Sequence, residues 1–178
     1  MLLGKENFDI LTSKNIAIFG LGGVGSYVFE ALIRCGIGSF VLVDKDTVSY
    51  SNINRQNIAT ITNIGKLKVD VAYSRGIDIN PFVKIYRYPI NVDDFNIKKI
   101  LKGKKIDYIV DAIDDVKGKL AIIKYAYENN IKIISCMGTG NRFNPTSLKI
   151  SDIYKTKNCP LAKKMRYILR KEGIKNLK

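Results

Sequence analysis

The sequence contains no histidine. That absence removes, as a group, Ser-His-Asp and Cys-His catalysis, imidazole acid-base chemistry and histidine-ligated metals. Any metal ion in such a chain is held by carboxylates and phosphates. Cysteine is scarce: Cys35, Cys136 and Cys159 are odd in number, far apart and without a CxxC pair, which argues against a disulfide framework or a cysteine zinc site. Free thiols in a reducing compartment are expected, with Cys35 and Cys136 buried as small hydrophobes. Cys159 sits in a polar, basic stretch with no adjacent base, so it is not expected to be a nucleophile.

No apolar run approaches the ~18 residues of a membrane span. The opening Met1 to Leu11 is short and is interrupted by Lys5, Glu6 and Asp9, unlike a secretory signal. A soluble, cytoplasmic protein is the expectation. Acidic residues are few, 16 against 30 basic, for a formal net charge of +14. The shortage is sharpest at the end, where Glu172 alone faces Lys155, Lys157, Lys163, Lys164, Arg166, Arg170, Lys171, Lys175 and Lys178. Such a cluster suits either a nucleic-acid footprint or a solvated helical face.

What is present organises the chain as one domain of 178 residues. Ile16 to Phe19 and Phe40 to Val43 are apolar runs bounded by glycine or aspartate and read as buried strands. Between them Val24, Val28, Ala31, Leu32 and Cys35 recur at helical spacing, with Gly36 and Gly38 as the stop. Helices are expected over Lys66 to Ile79, Asp93 to Leu101, Val116 to Asn129 (capped by Asp114 or Asp115) and Leu161 to Glu172. Strands are expected over Val83 to Tyr88, Ile106 to Val110, Ile131 to Cys136 and, briefly, Leu148 to Ile150. Strands alternating with helices imply an α/β fold with a doubly wound, mostly parallel sheet and a Rossmann-like nucleotide-binding core.

Gly20, Gly22 and Gly25 fit G-x-G-x-x-G directly after a strand and at the opening of a helix, where main-chain N–H groups and the positive helix end meet a phosphate. Asp44 ends the second strand, where an acid can accept hydrogen bonds from ribose hydroxyls. Arg55 and Lys68 discriminate further. Fixed cations stabilise the charge that develops on a transferred nucleotidyl group and on departing pyrophosphate, a need that hydride transfer does not have. Asp111 and Asp114, around the end of the fourth strand, could hold Mg²⁺ bridged to ATP phosphates.

Gly20 to Gly25, Asp44, Ser51-Asn52-Ile53-Asn54-Arg55-Gln56, Lys68 and Asp111-Ala112-Ile113-Asp114 together resemble the ThiF/MoeB/HesA superfamily, adenylating enzymes related to ubiquitin-activating enzymes. Ser39 after Gly36-Ile37-Gly38, Gly138-Thr139-Gly140-Asn141 leading to Asn144-Pro145-Thr146, and Asp152 to Leu161 with Cys159-Pro160-Leu161-Ala162 are similar to its tRNA threonylcarbamoyladenosine dehydratase branch. The resemblance implies ATP and Mg²⁺ as cofactors, a tRNA substrate and a homodimer, and it leaves any sulfur-transfer partner protein open. It implies that Gly23 and Asp44 touch the nucleotide, and that Ser51, Asn52 and Arg55 touch ribose and phosphates. Lys68 would touch the phosphates and Asp114 the Mg²⁺ ion, so that Arg55, Lys68 and Asp114 are the catalytic set. Family members usually carry an arginine before the stretch matching Leu2-Leu3-Gly4 and continue past the stretch matching Gly173 to Lys178. Relative to them, the single adenylating domain 1–178 reads as shortened at both ends, which implies ATP binding with weak turnover.

Two other functions share these motifs: adenylation of the C-terminus of a ubiquitin-like sulfur-carrier protein, and NAD-dependent dehydrogenation. Zinc-binding CxxC pairs are common in the first branch and missing here, and the second leaves Arg55, Lys68 and Asp114 without tasks. A non-catalytic nucleotide or RNA binder is a third.

Overall fold

Five parallel strands in the order β3-β2-β1-β4-β5 form the centre of the computed structural model. It describes residues 4–140, 144, 146 and 148–178. Leu2 and Leu3, Asn141 and Pro145 therefore lie outside the described residues. The elements run α1 Gly4–Thr12, β1 Asn15–Phe19, α2 Gly25–Arg34, β2 Ser39–Val43, α3 Lys68–Ile79 and β3 Lys84–Tyr88. They continue with α4 Ile97–Leu101, β4 Tyr108–Asp111, α5 Val116–Glu128, β5 Lys132–Ser135 and α6 Pro160–Lys171.

Strand alternation splits the core between the two faces of this sheet. Ile16 and Ile18 of β1 pack with Phe29 and Ile33 of α2 and with Val69 and Ala72 of α3. Ala17 and Phe19 turn the other way, onto Ile97, Ile100 and Leu101 of α4 and Ile122 and Ala126 of α5. Both faces of β1 are thus buried, which is why Ile16 to Phe19 reads as a continuous apolar run. A third cluster joins Ile123 of α5 to Met165 and Leu169 of α6 and to Ile174 and Leu177.

Helix ends follow local chemistry. Past α2, Gly36 takes φ +91° while its N–H reaches Ile33 O and that of Ile37 reaches Leu32 O, the paired bonds of a left-handed helix stop. The expected helix from Asp93 starts later, at Ile97. Asp93 Oδ1 accepts from the N–H groups of Phe95 and Asn96, and this turn occupies the residues ahead of the helix.

Leu148 to Ile150 is not a strand. Leu148 and Ile150 are exposed, and beside the end of β5 the Ser135 N–H is taken by the Lys178 carbonyl at 2.7 Å. Helix α1 was not expected. It buries no residue fully, although Leu11 packs against the core and Phe8 lies against Gly36. Cys35 corrects the expectation of burial: it caps α2 and is exposed.

Candidate nucleotide site

Sequence order reverses about β1: β2 and β3 lie on one side of it, β4 and β5 on the other. Ligands of open parallel sheets gather at the carboxyl ends of the strands flanking such a switch. The glycine loop leaves β1 here. Gly20 holds φ +89°, and a Cβ on it would come within 2.7 Å of Ala112 O. At Gly25 the constraint is contact: a Cβ would lie 1.8 Å from Gly20 O. Only glycine lets α2 start this close to the strand it follows.

Val24 caps α2 with no side-chain bond. Among the described residues, nothing accepts from the N–H groups of Gly22, Gly23 or Val24. Unmatched donors at a helix N-terminus are an anion site.

Asp44, at the end of β2, is buried and fastens this loop. Its Oδ2 accepts from Leu21 N at 2.6 Å, and its Oδ1 from Asp46 N at 2.8 Å. Burial pushes the Asp44 carboxyl above its ordinary range, against the pull of these two bonds and of Lys68. Lys68, first in α3, is buried among carboxylates, its Nζ 3.0 Å from Asp46 Oδ2 and 4.0 Å from Asp44 Oδ2. Its N–H also reaches Asp46 O at 3.0 Å, so side chain and backbone place the ammonium together.

The segment after β2 contributes from the opposite wall. Asn52 is buried, and its Oδ1 accepts from Ser49 N at 3.0 Å across a short 3₁₀ turn. Arg55 donates through Nη1 to Ser51 O at 2.7 Å and to Asn54 Oδ1 at 3.0 Å. Its stem lies over the loop, where a Cβ on Gly23 would meet Arg55 Cγ at 3.6 Å. Gln56, part of the sequence motif without an assigned role, is buried with its Oε1 lacking a hydrogen-bond partner.

The three aspartates at and just past the end of β4 separate by environment. Asp111 does not face the recess. It is wholly buried, with Oδ2 bonded to Lys119 Nζ at 2.8 Å and to Ser135 Oγ at 2.5 Å, and burial pushes its carboxyl up. Its expected share in a metal site is thereby corrected, because its charge is answered inside the protein. Asp115 caps α5, accepting from Gly118 N at 2.6 Å. Asp114 is exposed and makes no hydrogen bond or ion pair among the described residues.

Gly20, Gly22, Gly23, Asp44, Asn52, Arg55, Lys68 and Asp114 line one recess of about 680 Å³, a volume suited to a nucleotide. Ser51 and Gly25 do not line it: Ser51 Oγ pairs with Ser49 Oγ at 3.0 Å, and Gly25 acts through packing. Asp46 and Gln56 line it as well, although sequence reasoning gave neither a role. The far wall includes Cys136, whose thiol is half-buried and pushed up by that burial. Lys119 was also missed. Its Nζ donates to Cys136 O at 2.9 Å and so ties the recess wall to Asp111.

An uncapped helix terminus, three cations (Lys45, Arg55 and Lys68) and one unengaged carboxylate around a single recess suit a nucleoside triphosphate whose phosphates undergo substitution. Comparison with known proteins agrees. The chain matches the ThiF family over residues 1–165. It is 39% identical over 175 residues to tRNA threonylcarbamoyladenosine dehydratase of Bacillus subtilis, covering 98% of this chain and 68% of the relative. To the Haemophilus influenzae protein of the same name it is 40% identical over 176 residues, covering 96% and 65%. The chain thus spans about two thirds of the length of these relatives.

Among solved structures, the E. coli tRNA N6-threonylcarbamoyladenosine dehydratase TcdA in complex with ATP superposes with a TM-score of 0.91 at 36% identity, over 95% of this chain and 69% of that one. Its complex with AMP gives 0.92 at 35% identity, over 97% and 70%. These likenesses favour neither sulfur-carrier adenylation nor nicotinamide-dependent dehydrogenation.

Proposed function

This chain belongs to the ThiF family, and on that premise we propose that it catalyses the ATP-dependent dehydration, by cyclisation, of threonylcarbamoyladenosine in tRNA. One observation carries the reading. The glycine-loop donors, Lys68, Arg55 and Asp114 converge on one recess at the carboxyl ends of β1, β2 and β4, and relatives similar over nearly the whole chain bear this name.

In the reaction a carboxylate oxygen of the threonylcarbamoyl group attacks the α-phosphorus of ATP. The bond to the β-phosphate breaks, and pyrophosphate leaves. A nucleophile in the same side chain then attacks the acyl carbon, loses its proton and expels AMP, so that the nucleoside loses one water overall. Adenylation converts a poor leaving group into a good one. Ring closure within one side chain makes the second step unimolecular.

Each side chain has a role that fits its setting. The uncapped start of α2 receives phosphate oxygens. Asp44 holds the loop through Leu21 and presents its remaining lone pairs to ribose hydroxyls. Lys68, carried between Asp46 and Asp44, exchanges a carboxylate for phosphate and steadies departing negative charge. Arg55 reaches the phosphates from across Gly23, and Asn52 stiffens the turn that carries it. Ser51 belongs to that turn and acts through Arg55, whose Nη1 donates to the Ser51 carbonyl.

Mg²⁺ fits Asp114, an exposed carboxylate without a protein partner, because this ion is commonly held by one or two carboxylates together with substrate phosphates. Bound there, it neutralises phosphate charge. No group of three histidine, cysteine, aspartate or glutamate side chains able to hold a metal occurs among the described residues, in keeping with an ion that arrives with the nucleotide. The reading extends to a cytoplasmic homodimer. Exposed Tyr50 and Ile61, on the segment that carries Arg55, offer apolar surface for a second copy.

The test is incubation of the chain with Mg-ATP and threonylcarbamoyl-modified tRNA, followed by mass spectrometry of the nucleoside. Loss of one water with stoichiometric AMP, abolished by Arg55→Ala and by Asp114→Ala, is expected. Unchanged nucleoside mass would reject the assignment.

A further inference from the structure

We propose that a second recess, at the amino edge of the sheet and opposite the nucleotide site, is a phosphate-binding notch. It measures about 400 Å³ and forms where Asn15, Ser39 and Lys84 begin β1, β2 and β3, against the turn that leads into β4. Four lysines line it, Lys14, Lys84, Lys104 and Lys105, with one acid, Asp107.

That acid is already engaged. Asp107 Oδ1 pairs with Lys14 Nζ at 3.3 Å, and Oδ2 accepts from Asn15 N at 2.9 Å. Among the described residues, Lys84, Lys104 and Lys105 have no carboxylate within ion-pair distance. Three unpaired ammonium groups around one concavity concentrate positive potential where low-dielectric walls focus it.

Two of these ammonium groups are also held in place. Lys84 Nζ lies 5.2 Å and Lys104 Nζ 4.9 Å from the centre of the same ring, Tyr86, and Lys104 is steadied further by Tyr88 and by the Ile100 carbonyl at 3.0 Å. Two like charges gathered around one aromatic ring repel each other, and a phosphate anion bound beside them relieves that repulsion. Each ammonium still has donors to offer.

The chemistry that this cationic lining recognises is a phosphate group. It reaches the notch either as a free phosphate or as part of an RNA backbone.

The test has two arms, both on the full chain. In the first, inorganic phosphate is titrated into ¹⁵N-labelled protein saturated with AMP, and the amides of Ser39, Gly103 and Lys104 are followed. Saturable shifts are expected, weakened about tenfold or more by Lys84→Gln/Lys104→Gln and retained in Lys163→Gln/Lys164→Gln, which removes the same charge from α6. In the second, tRNA binding is measured against salt. A slope lower by about one to two in the Lys84→Gln/Lys104→Gln variant, together with the phosphate shifts, assigns the notch to RNA backbone. Phosphate shifts with an unchanged slope assign it to a free phosphate ligand. Absence of saturable shifts overturns the notch, and because this arm uses neither ATP turnover nor modified tRNA, that failure leaves the dehydratase reading standing.

Discussion

Lys119 Nζ lies 2.8 Å from Asp111 Oδ2, and neither side chain has any solvent exposure. This buried pair links α5 to β4, and the bonds from Lys119 to Ser135 Oγ and Cys136 O extend it to the end of β5. Removing one partner strands a charge in the interior, which costs about 3–5 kcal/mol, whereas replacing both by apolar groups of similar volume recovers most of that. Lys119→Met should therefore lower the urea-unfolding free energy by about that amount, and Lys119→Met/Asp111→Leu should recover a large part. Equal losses in the single and double variants would refute the coupling.

Glycine positions in the loop divide between folding and binding. Gly25→Ala pushes a methyl to 1.8 Å from Gly20 O and should destabilise the protein by about 1–3 kcal/mol or more in thermal melts. At Gly22 the nearest group to an added Cβ is Gln56 Nε2 at 3.9 Å, an ordinary contact. Gly22→Ala should keep stability within about 1 kcal/mol, with any deficit appearing in ATP affinity by calorimetry.

Lys68→Met removes the ammonium while leaving Asp44 and Asp46 side by side. Adenylation measured by pyrophosphate release should fall about 100-fold in kcat/KM or more. ATP binding should show weaker salt dependence than in the unaltered protein, since one phosphate-facing charge has gone. Unchanged release kinetics would remove Lys68 from the reaction.

Glu30 joins α2 to α3. It accepts from Arg75 Nη2 at 2.8 Å and from Arg34 Nε at 2.7 Å, and the Arg75 bonds above all hold its carboxyl below the ordinary glutamate range. With the folded value below the unfolded one, the stabilisation is present above the ordinary range and disappears as pH falls through the folded value. Glu30→Gln should cost about 0.5–1 kcal/mol near neutrality, and the difference should vanish in acid. A gap independent of pH would refute the ion-pair origin.

Cys159 caps α6 through sulfur, accepting from Ala162 N at 3.4 Å and from Gly138 N at 3.3 Å. Aspartate is a much stronger N-cap, and the first turn of α6 carries no acid. Cys159→Asp should raise stability by about 0.5–1 kcal/mol, measured by denaturant midpoint.

Features set by short stretches of chain were legible beforehand. The glycine loop, Asp44 and the first residue of α3 announce themselves because a tight turn, a strand end and a helix start each restrict residue type locally. Lys119 was not legible. A lysine at a helical position reads as solvated, and only the approach of β4 and β5 turns it inward. Asp111 misled for the same reason, being an acid at a strand end whose partner arrives from α5. Leu148 to Ile150 had strand composition without a neighbour to pair with, and pairing, not propensity, decides a strand. The Asp93 turn took the residues expected for the first turn of α4 because an aspartate side chain competes with the backbone for the same N–H groups.

The strand order has a consequence in time. A ribosome releases β1, β2 and β3 as one contiguous half, while the strand that must lie on the other side of β1 emerges only afterwards. Until β4 arrives, the row of backbone groups along that side of β1, apolar on both faces, is an open edge able to recruit foreign strands. The nascent half already holds the glycine loop, Asp44, Arg55 and Lys68, but Ala112, which closes over Gly20, has yet to be made. That edge of β1 therefore stays open until residues 108–112 have emerged to cover it.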